Sequence, residues 1–140
     1  MTHIFSDLLY HVTWHTAGYA PLLSRRAEHA LYPFLRHRAC QLDCAVLEVG
    51  GTANRVHLAL RVPPSRPVSV IIDVLKSDAV LQLNRVERLT PPVQWQQGFI
   101  ASTLAPPALD DLRKWIRAQS RTGAYPAGLH LPLEHPSVQP

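Results

Sequence analysis

The sequence predicts one α+β domain, a sandwich in which helices pack on a four-stranded antiparallel sheet. Four segments are typical of β-strands, two of them alternating apolar and polar residues with the period of a strand, and segments with helical periodicity lie between them. Their order is strand, helix, strand, strand, helix, strand, followed by one more helix. A chain of 140 residues that is 46% hydrophobic is long enough to bury the core of one such domain.

The first half of the chain reads as strand, helix, strand. Residues 7–15 alternate in polarity, which predicts the first strand. Ser24 is a residue type that caps helices, and the helix after it turns five apolar residues toward the core: Ala27, Ala30, Leu31, Phe34 and Leu35. Residues 42–49 are predicted as the second strand, and Gly50 and Gly51 as the turn that ends it.

The second half repeats that order. The third strand, residues 54–62, has the sequence NRVHLALRV and carries Arg55, His57, Ala59 and Arg61 on one face. A helix over residues 67–83 follows, with an apolar side formed by Val70, Ile71, Val74 and Leu75. A fourth strand is predicted over residues 95–103 and a final helix over residues 108–121, which has an acidic start and a basic end.

Two strand-helix-strand halves fold economically as a ferredoxin-like sandwich, with the helices on one face of an antiparallel sheet and a further C-terminal helix added. The first and third strands are then central neighbours. We expect the other face to be open and to display six side chains: His11, Thr13, His15, Arg55, His57 and Arg61. Residues 1–121 form the predicted domain, and the proline-rich residues 122–140 an extended or disordered tail.

Composition narrows the class of partner. Lysine and arginine total 14 against 10 acidic residues, the formal net charge is +4, and 12 of the 14 basic residues are arginine. Arginine suits bidentate contact with phosphate, so the bias favours a nucleic-acid partner. With neither a signal peptide nor an apolar run of membrane-spanning length, we expect a soluble cytoplasmic protein. Cys40 and Cys44 are expected to be buried, inert thiols rather than a metal site with His37.

Five short motifs, in a characteristic order and spacing, resemble a known family. The chain is similar from about residue 5 to 121 to the single-tyrosine HUH transposases of bacterial insertion sequences. The landmarks are YHVTW at residues 10–14, NRVHLAL and VPP at 54–64, LKS at 75–77, WQQGF at 95–99 and WIRAQ at 115–119. The resemblance implies DNA strand cleavage and rejoining through a phosphotyrosine, a divalent metal (magnesium or manganese), and a homodimer.

The family's functional residues are only partly retained. The resemblance implies that two histidines and a glutamine bind the metal and that a tyrosine attacks the phosphate. In this sequence the first histidine falls on Arg55, the second on His57, the glutamine on Gln119 and the tyrosine on Trp115, while Asn54 replaces an aspartate. Indole nitrogen has no nucleophilic lone pair, and arginine brings a fixed positive charge that repels a cation. We therefore expect no active nucleophile and little or no metal binding.

The predicted function is that of a transposase-like protein that binds single-stranded or hairpin DNA without cutting it. The candidate DNA contacts are Arg55, His57, Arg61, Lys114 and Arg117. Whether it is an enzyme stays open, since in one alternative His57, Gln119 and a histidine of the first strand bind a metal and water replaces the tyrosine.

Three smaller alternatives stand beside this prediction. A three-histidine metal site could form from His11, His15 and His57, and a decayed product would have no nucleic-acid role at all. Trp115 is either a packing residue or a platform on which an unpaired base stacks.

Overall fold

The architecture of the computed structural model, which describes residues 8–119, is that of the predicted α+β class. Its strands are β1 (Leu9–His15), β2 (Ala45–Thr52), β3 (Arg55–Arg61) and β4 (Ile100–Leu104). Its α-helices are α1 (Arg25–Gln41), α2 (Val68–Leu81) and α3 (Leu109–Arg117). The sheet order is β2-β3-β1-β4 and every neighbouring pair is antiparallel, so β1 and β3 are central, as predicted. Residues 120 and 121 of the predicted last helix, and the tail, lie outside the described residues.

Helices α1 and α2 cover one face of the sheet and enclose the larger core. The Ser24 side chain accepts a hydrogen bond from the Ala27 backbone N–H at 3.1 Å, which confirms it as the cap of α1. In α2 the expected apolar side was wrong at one position, because Val70 is 53% exposed and Ile72 is buried instead. The buried stripe of α2 runs on the side of Ile72 and Lys76, so Val70 lies off it.

The glycine pair does not form the predicted turn. β2 continues through Gly50 and Gly51 to Thr52, and the turn lies at residues 53–54. A Cβ on Gly50 would lie 2.5 Å from the Ile116 backbone oxygen, and one on Gly51 would collide with the Arg55 carbonyl. These glycines therefore allow close approach of neighbouring backbone rather than a reversal of the chain.

The fourth strand is shorter than predicted at its start. Residues 96–98 are held against α2, because the buried Lys76 ammonium donates hydrogen bonds to the carbonyls of Gln96 at 2.9 Å and Gly98 at 2.6 Å. Trp95 contributes only an isolated bridge to Thr16. The sheet pairing of β4 thus begins at Ile100, where the chain reaches β1.

The expectation of an open sheet face was wrong. Helix α3 packs against β2 and β3 on that face and forms a second, smaller core from Ala59, Leu112, Trp115 and Ile116. Leu112, Trp115 and Ile116 share one side of α3, and their apolar surface is buried only when that side lies on the sheet. Of the six side chains expected to be open, only Arg61 is exposed.

Two further features complete the fold. Cys44 is buried, as predicted, but Cys40 is exposed in the last turn of α1, so that expectation was wrong for one of the two thiols. Within residues 8–119, none of the helices combines the length and apolarity that crossing a bilayer requires.

Candidate functional site

Two histidines and a tryptophan meet under α3, and they form the centre of the candidate site. His57 lies on β3 opposite Thr13, and His11 lies two residues earlier on β1, so the two imidazoles are diagonal neighbours on one sheet face. Their nearest nitrogens, His11 Nε2 and His57 Nδ1, are 3.1 Å apart. The Trp115 ring stands edge-on to both, with ring centroids 4.8 Å from His57 and 5.9 Å from His11.

Burial keeps both imidazoles neutral. Loss of solvent lowers the pKa of His11 to about 4. The pKa of His57 falls to about 3, mainly through burial and further through the charges of His11 and Arg55. At neutral pH one ring must therefore donate its N–H to the lone pair of the other, and which ring donates depends on the tautomers.

Arg55 is held by an aromatic stack at the other end of the site. Its guanidinium carbon lies 5.5 Å from the centroid of the Tyr19 ring, and its Nη2 lies 3.4 Å from the Tyr19 hydroxyl oxygen. His15 stacks on Tyr19 with ring centroids 3.9 Å apart, and its Nδ1–H donates to the Thr16 carbonyl at 2.8 Å. Arg55 is half-buried in this position.

Sequence reasoning missed Tyr19 as part of the site. Its backbone and that of Gly18 have φ values of 55° and 62°, so the chain turns tightly after β1 and brings the phenol back beside the start of β3. The one available signal was the break at Gly18, directly after a strand that pairs with the histidine strand.

The donors present do not fit the metal centre of the family. Arg55 has no lone pair to offer an ion, and its positive charge lies near His57. Within the described part of the chain, the Gln119 side-chain oxygen is buried without a hydrogen-bond partner, which suits a ligand position. Across residues 8–119, however, no three side chains of the His, Cys, Asp and Glu types converge, so the suggested three-histidine arrangement is not formed.

The predicted DNA-contacting residues are not all brought together. Arg55 and Arg61 lie at opposite ends of β3, about 20 Å apart at the usual rise of a strand. His57 is only 4% exposed. Lys114 and Arg117 are exposed on α3.

A charged cluster at the edge of the sheet was also missed by sequence reasoning. Glu48 of β2 is buried, and its carboxylate faces three guanidinium groups, a set that we call the Glu48 cluster. Arg113 and Arg117 of α3 each approach Oε1 to 3.4 Å with Nε, and Arg36 of α1 approaches Oε2 to 3.8 Å with Nη2. Nothing in the local sequence around Glu48 indicated these partners, which come from two other elements.

The chain is similar to transposases in sequence and in fold. Residues 4–119 match the family model described as IS200-like transposase. A solved structure described as a transposase from Deinococcus radiodurans R1 is similar with a TM-score of 0.67 and 17% identity, over 87% of this chain and 98% of that one. A REP-associated tyrosine transposase bound to a REP hairpin is similar with a TM-score of 0.55 and 14% identity, over 84% of this chain and 69% of that one.

No curated protein matches the sequence. At such low identities the two solved structures speak for the fold alone, whereas the family match spans most of the chain, from before β1 to the end of α3. On that match, the chain belongs to the family of IS200-like transposases.

Proposed function

We propose that this protein binds single-stranded or hairpin DNA and does not cut it. The observation that carries the proposal is the Trp115 ring packed on His57, with ring centroids 4.8 Å apart, at the place where the family has its tyrosine nucleophile. An indole offers no lone pair for attack on phosphorus, so no covalent protein–DNA link can form through this residue.

The chemistry of Arg55 is the second reason to propose DNA binding without DNA cleavage. A guanidinium cannot ligate a metal, but it can hold a phosphate by two parallel hydrogen bonds. Tyr19 holds the Arg55 side chain by a ring contact and by its hydroxyl, so the fork is positioned before a ligand arrives. We therefore propose that the protein works without a bound metal.

The proposed phosphate contacts are Arg55, Arg61, Lys114 and Arg117. His57 was also predicted to contact DNA, and with 4% of its surface exposed it could do so only if α3 moved away. A hairpin partner is supported by the similar solved structure, which is described as bound to a REP hairpin. A homodimer and a cytoplasmic location, where DNA is accessible, belong to the same proposal.

The test is to incubate the protein and labelled hairpin DNA with manganese. We expect slower migration of the hairpin, no nick and no covalent adduct, and binding that weakens as salt rises. Arg55→Ala should weaken binding, while Arg38→Ala, which removes one arginine paired with Asp78 on the other side of the protein, should not. Covalently attached DNA would refute the inactive state, and the absence of any mobility shift at low salt would refute DNA binding.

A metal-dependent nuclease that uses water as nucleophile is the second candidate. It is favoured by the 3.1 Å separation of His11 Nε2 and His57 Nδ1, a distance at which two nitrogens can share either a proton or an ion, and by the buried Gln119 oxygen. In the same assay this candidate predicts nicking that requires manganese and disappears in His11→Ala and His57→Ala.

A further inference from the structure

The Glu48 cluster carries more positive charge than its carboxylate can neutralise. Three guanidinium groups surround one carboxylate, which leaves a net charge of +2 at that place. Two other arginine pairs in the described part of the chain are one-to-one, namely Arg38 with Asp78 at 2.8 Å and Arg66 with Asp43 at 3.1 Å. The three positive charges repel one another, so binding of a polyanion beside them would lower the electrostatic energy of the cluster.

The three arginines are held in place yet reach solvent. Glu48 has 10% of its side chain exposed, whereas the side chains of Arg36, Arg113 and Arg117 are 46%, 39% and 57% exposed. Arg36 is anchored further, because its Nη1 donates to the Val46 carbonyl at 2.8 Å. Arg113 and Arg117 reach the carboxylate with Nε, so the terminal Nη groups of both side chains lie beyond that contact.

The position of the cluster suits an extended ligand. β2 is an edge strand of the sheet, and α1 and α3 flank it on opposite faces, so arginines from both helices meet at one rim of the molecule. The exposed Lys114 follows Arg113 on α3 and adds a further positive charge. Regularly spaced negative groups on one flexible chain would match such a rim.

We propose that the Glu48 cluster is a second phosphate-binding site, which holds the DNA backbone beside the stretch contacted by Arg55. The inference rests on the proposed DNA binding and adds Arg36 and Arg113 to it. Glu48 acts as a positioning residue that holds the three guanidinium groups together, with the terminal Nη groups of Arg113 and Arg117 available for phosphate. A nucleic acid is favoured over an acidic protein because guanidinium forks match phosphate oxygens in pairs.

The test is a salt titration of hairpin binding by fluorescence anisotropy, from 50 mM to 1 M sodium chloride. For Arg36→Gln and Arg113→Gln we expect the slope of log affinity against log salt to fall by about 0.9 each, with about eightfold weaker binding at 0.1 M and convergence at 1 M. The matched control is Arg38→Gln, which removes a charge from the same helix as Arg36 but from a one-to-one pair. Circular dichroism establishes that each variant is folded.

The outcomes separate this inference from the proposed function. In one outcome the wild type binds while Arg36→Gln and Arg113→Gln have the same salt slope as Arg38→Gln. That result would show that the Glu48 cluster only stabilises the packing of α3 on the sheet. No binding by the wild type would overturn both proposals together. If Arg113→Gln unfolds, the two variants of Arg36 test the inference by themselves. Arg36→Lys keeps the positive charge and should keep most of the salt slope, whereas Arg36→Gln should reduce it.

Discussion

The two faces of the sheet are covered by different kinds of packing. Under α1 and α2 the buried residues form one continuous apolar core that includes Trp14, Leu58 and Leu75. Under α3 the core has four buried apolar residues within the described range 8–119, and they share the face with the buried polar side chains of His11, His57 and Glu48. The first face therefore supplies most of the buried apolar surface, and the second buries polar side chains of the candidate site, which are tolerated there because they have hydrogen-bond or ion-pair partners.

This difference is clearest at the candidate site. There an indole lies on two neutral imidazoles. Helix α3 thus contributes packing surface to the sheet, while its outer side contributes cations to the rim.

Low pH should destabilise the protein because two histidines are buried in their neutral form under α3. Well above pH 6.5 both His11 and His57 are neutral in the folded and the unfolded state, so neither makes stability depend on pH. As pH falls below 6.5 the unfolded chain gains protons that the folded protein, with pKa values of about 4 and 3 at these residues, does not bind. The free energy of unfolding should then drop by about 1.4 kcal/mol per pH unit for each histidine.

Urea denaturation at pH 7, 6 and 5 measures this slope, which should level off for each histidine once the pH lies below its folded pKa. His57→Gln should reduce the slope by about half, whereas His29→Gln, at an exposed position, should leave it unchanged. A free energy of unfolding that is the same at pH 7 and pH 5 would contradict the buried neutral pair.

Identical truncations on the two sides of the sheet should differ in cost. Leu58 and Leu112 are both fully buried, one in each core. We expect Leu58→Ala to cost about 3–5 kcal/mol and Leu112→Ala about 2–3 kcal/mol, because α3 can settle into the cavity more easily than the centre of the sheet can. Equal losses in urea denaturation would mean that the two cores are equally rigid.

A side chain at Gly50 should separate α3 from the sheet. A Cβ there would lie 2.5 Å from the Ile116 oxygen, so Gly50→Val must displace the helix, at a cost of about 1–3 kcal/mol. Hydrogen exchange should show faster exchange in α3 with β1 and β3 still protected. A uniform loss of protection across the domain would instead mean that α3 and the sheet unfold as one unit.

The smallest effect is expected at the rim. Glu48→Gln removes the carboxylate that draws three half-exposed arginines together, and we expect a loss of about 1–2 kcal/mol. Raising the salt concentration should narrow the difference from the wild type, because screening weakens both the attraction to Glu48 and the repulsion among the arginines. A variant as stable as the wild type at low salt would leave Glu48 without a positioning role.

Local patterns were sufficient for most of the fold. The alternation in β1 and β3, the cap at Ser24 and the periodicity of α1 each depend on neighbours a few residues away, and each was confirmed. The pairing of β1 with β3 followed from the order of the elements. Short-range features of this kind are encoded in backbone geometry and in the period of hydrophobic residues.

The candidate site was predicted only in part. The positions of Arg55, His57 and Trp115 along the chain could be read from the motifs. Their contacts could not, because His11 and His57 lie 46 residues apart and Arg113 and Glu48 lie 65 apart. Such distances are bridged by the register of strands and the docking of α3, which no local pattern records.

The sequence by itself determined the class of fold, the central strand pair and the absence of a phenol at residue 115. Only the tertiary structure decided that α3 closes the second face, that Gly50 permits its approach, and that Tyr19 and Glu48 hold the arginines. The physical reason is that propensity and periodicity act within a few residues, whereas burial, charge pairing and close backbone contact depend on the position of the whole chain.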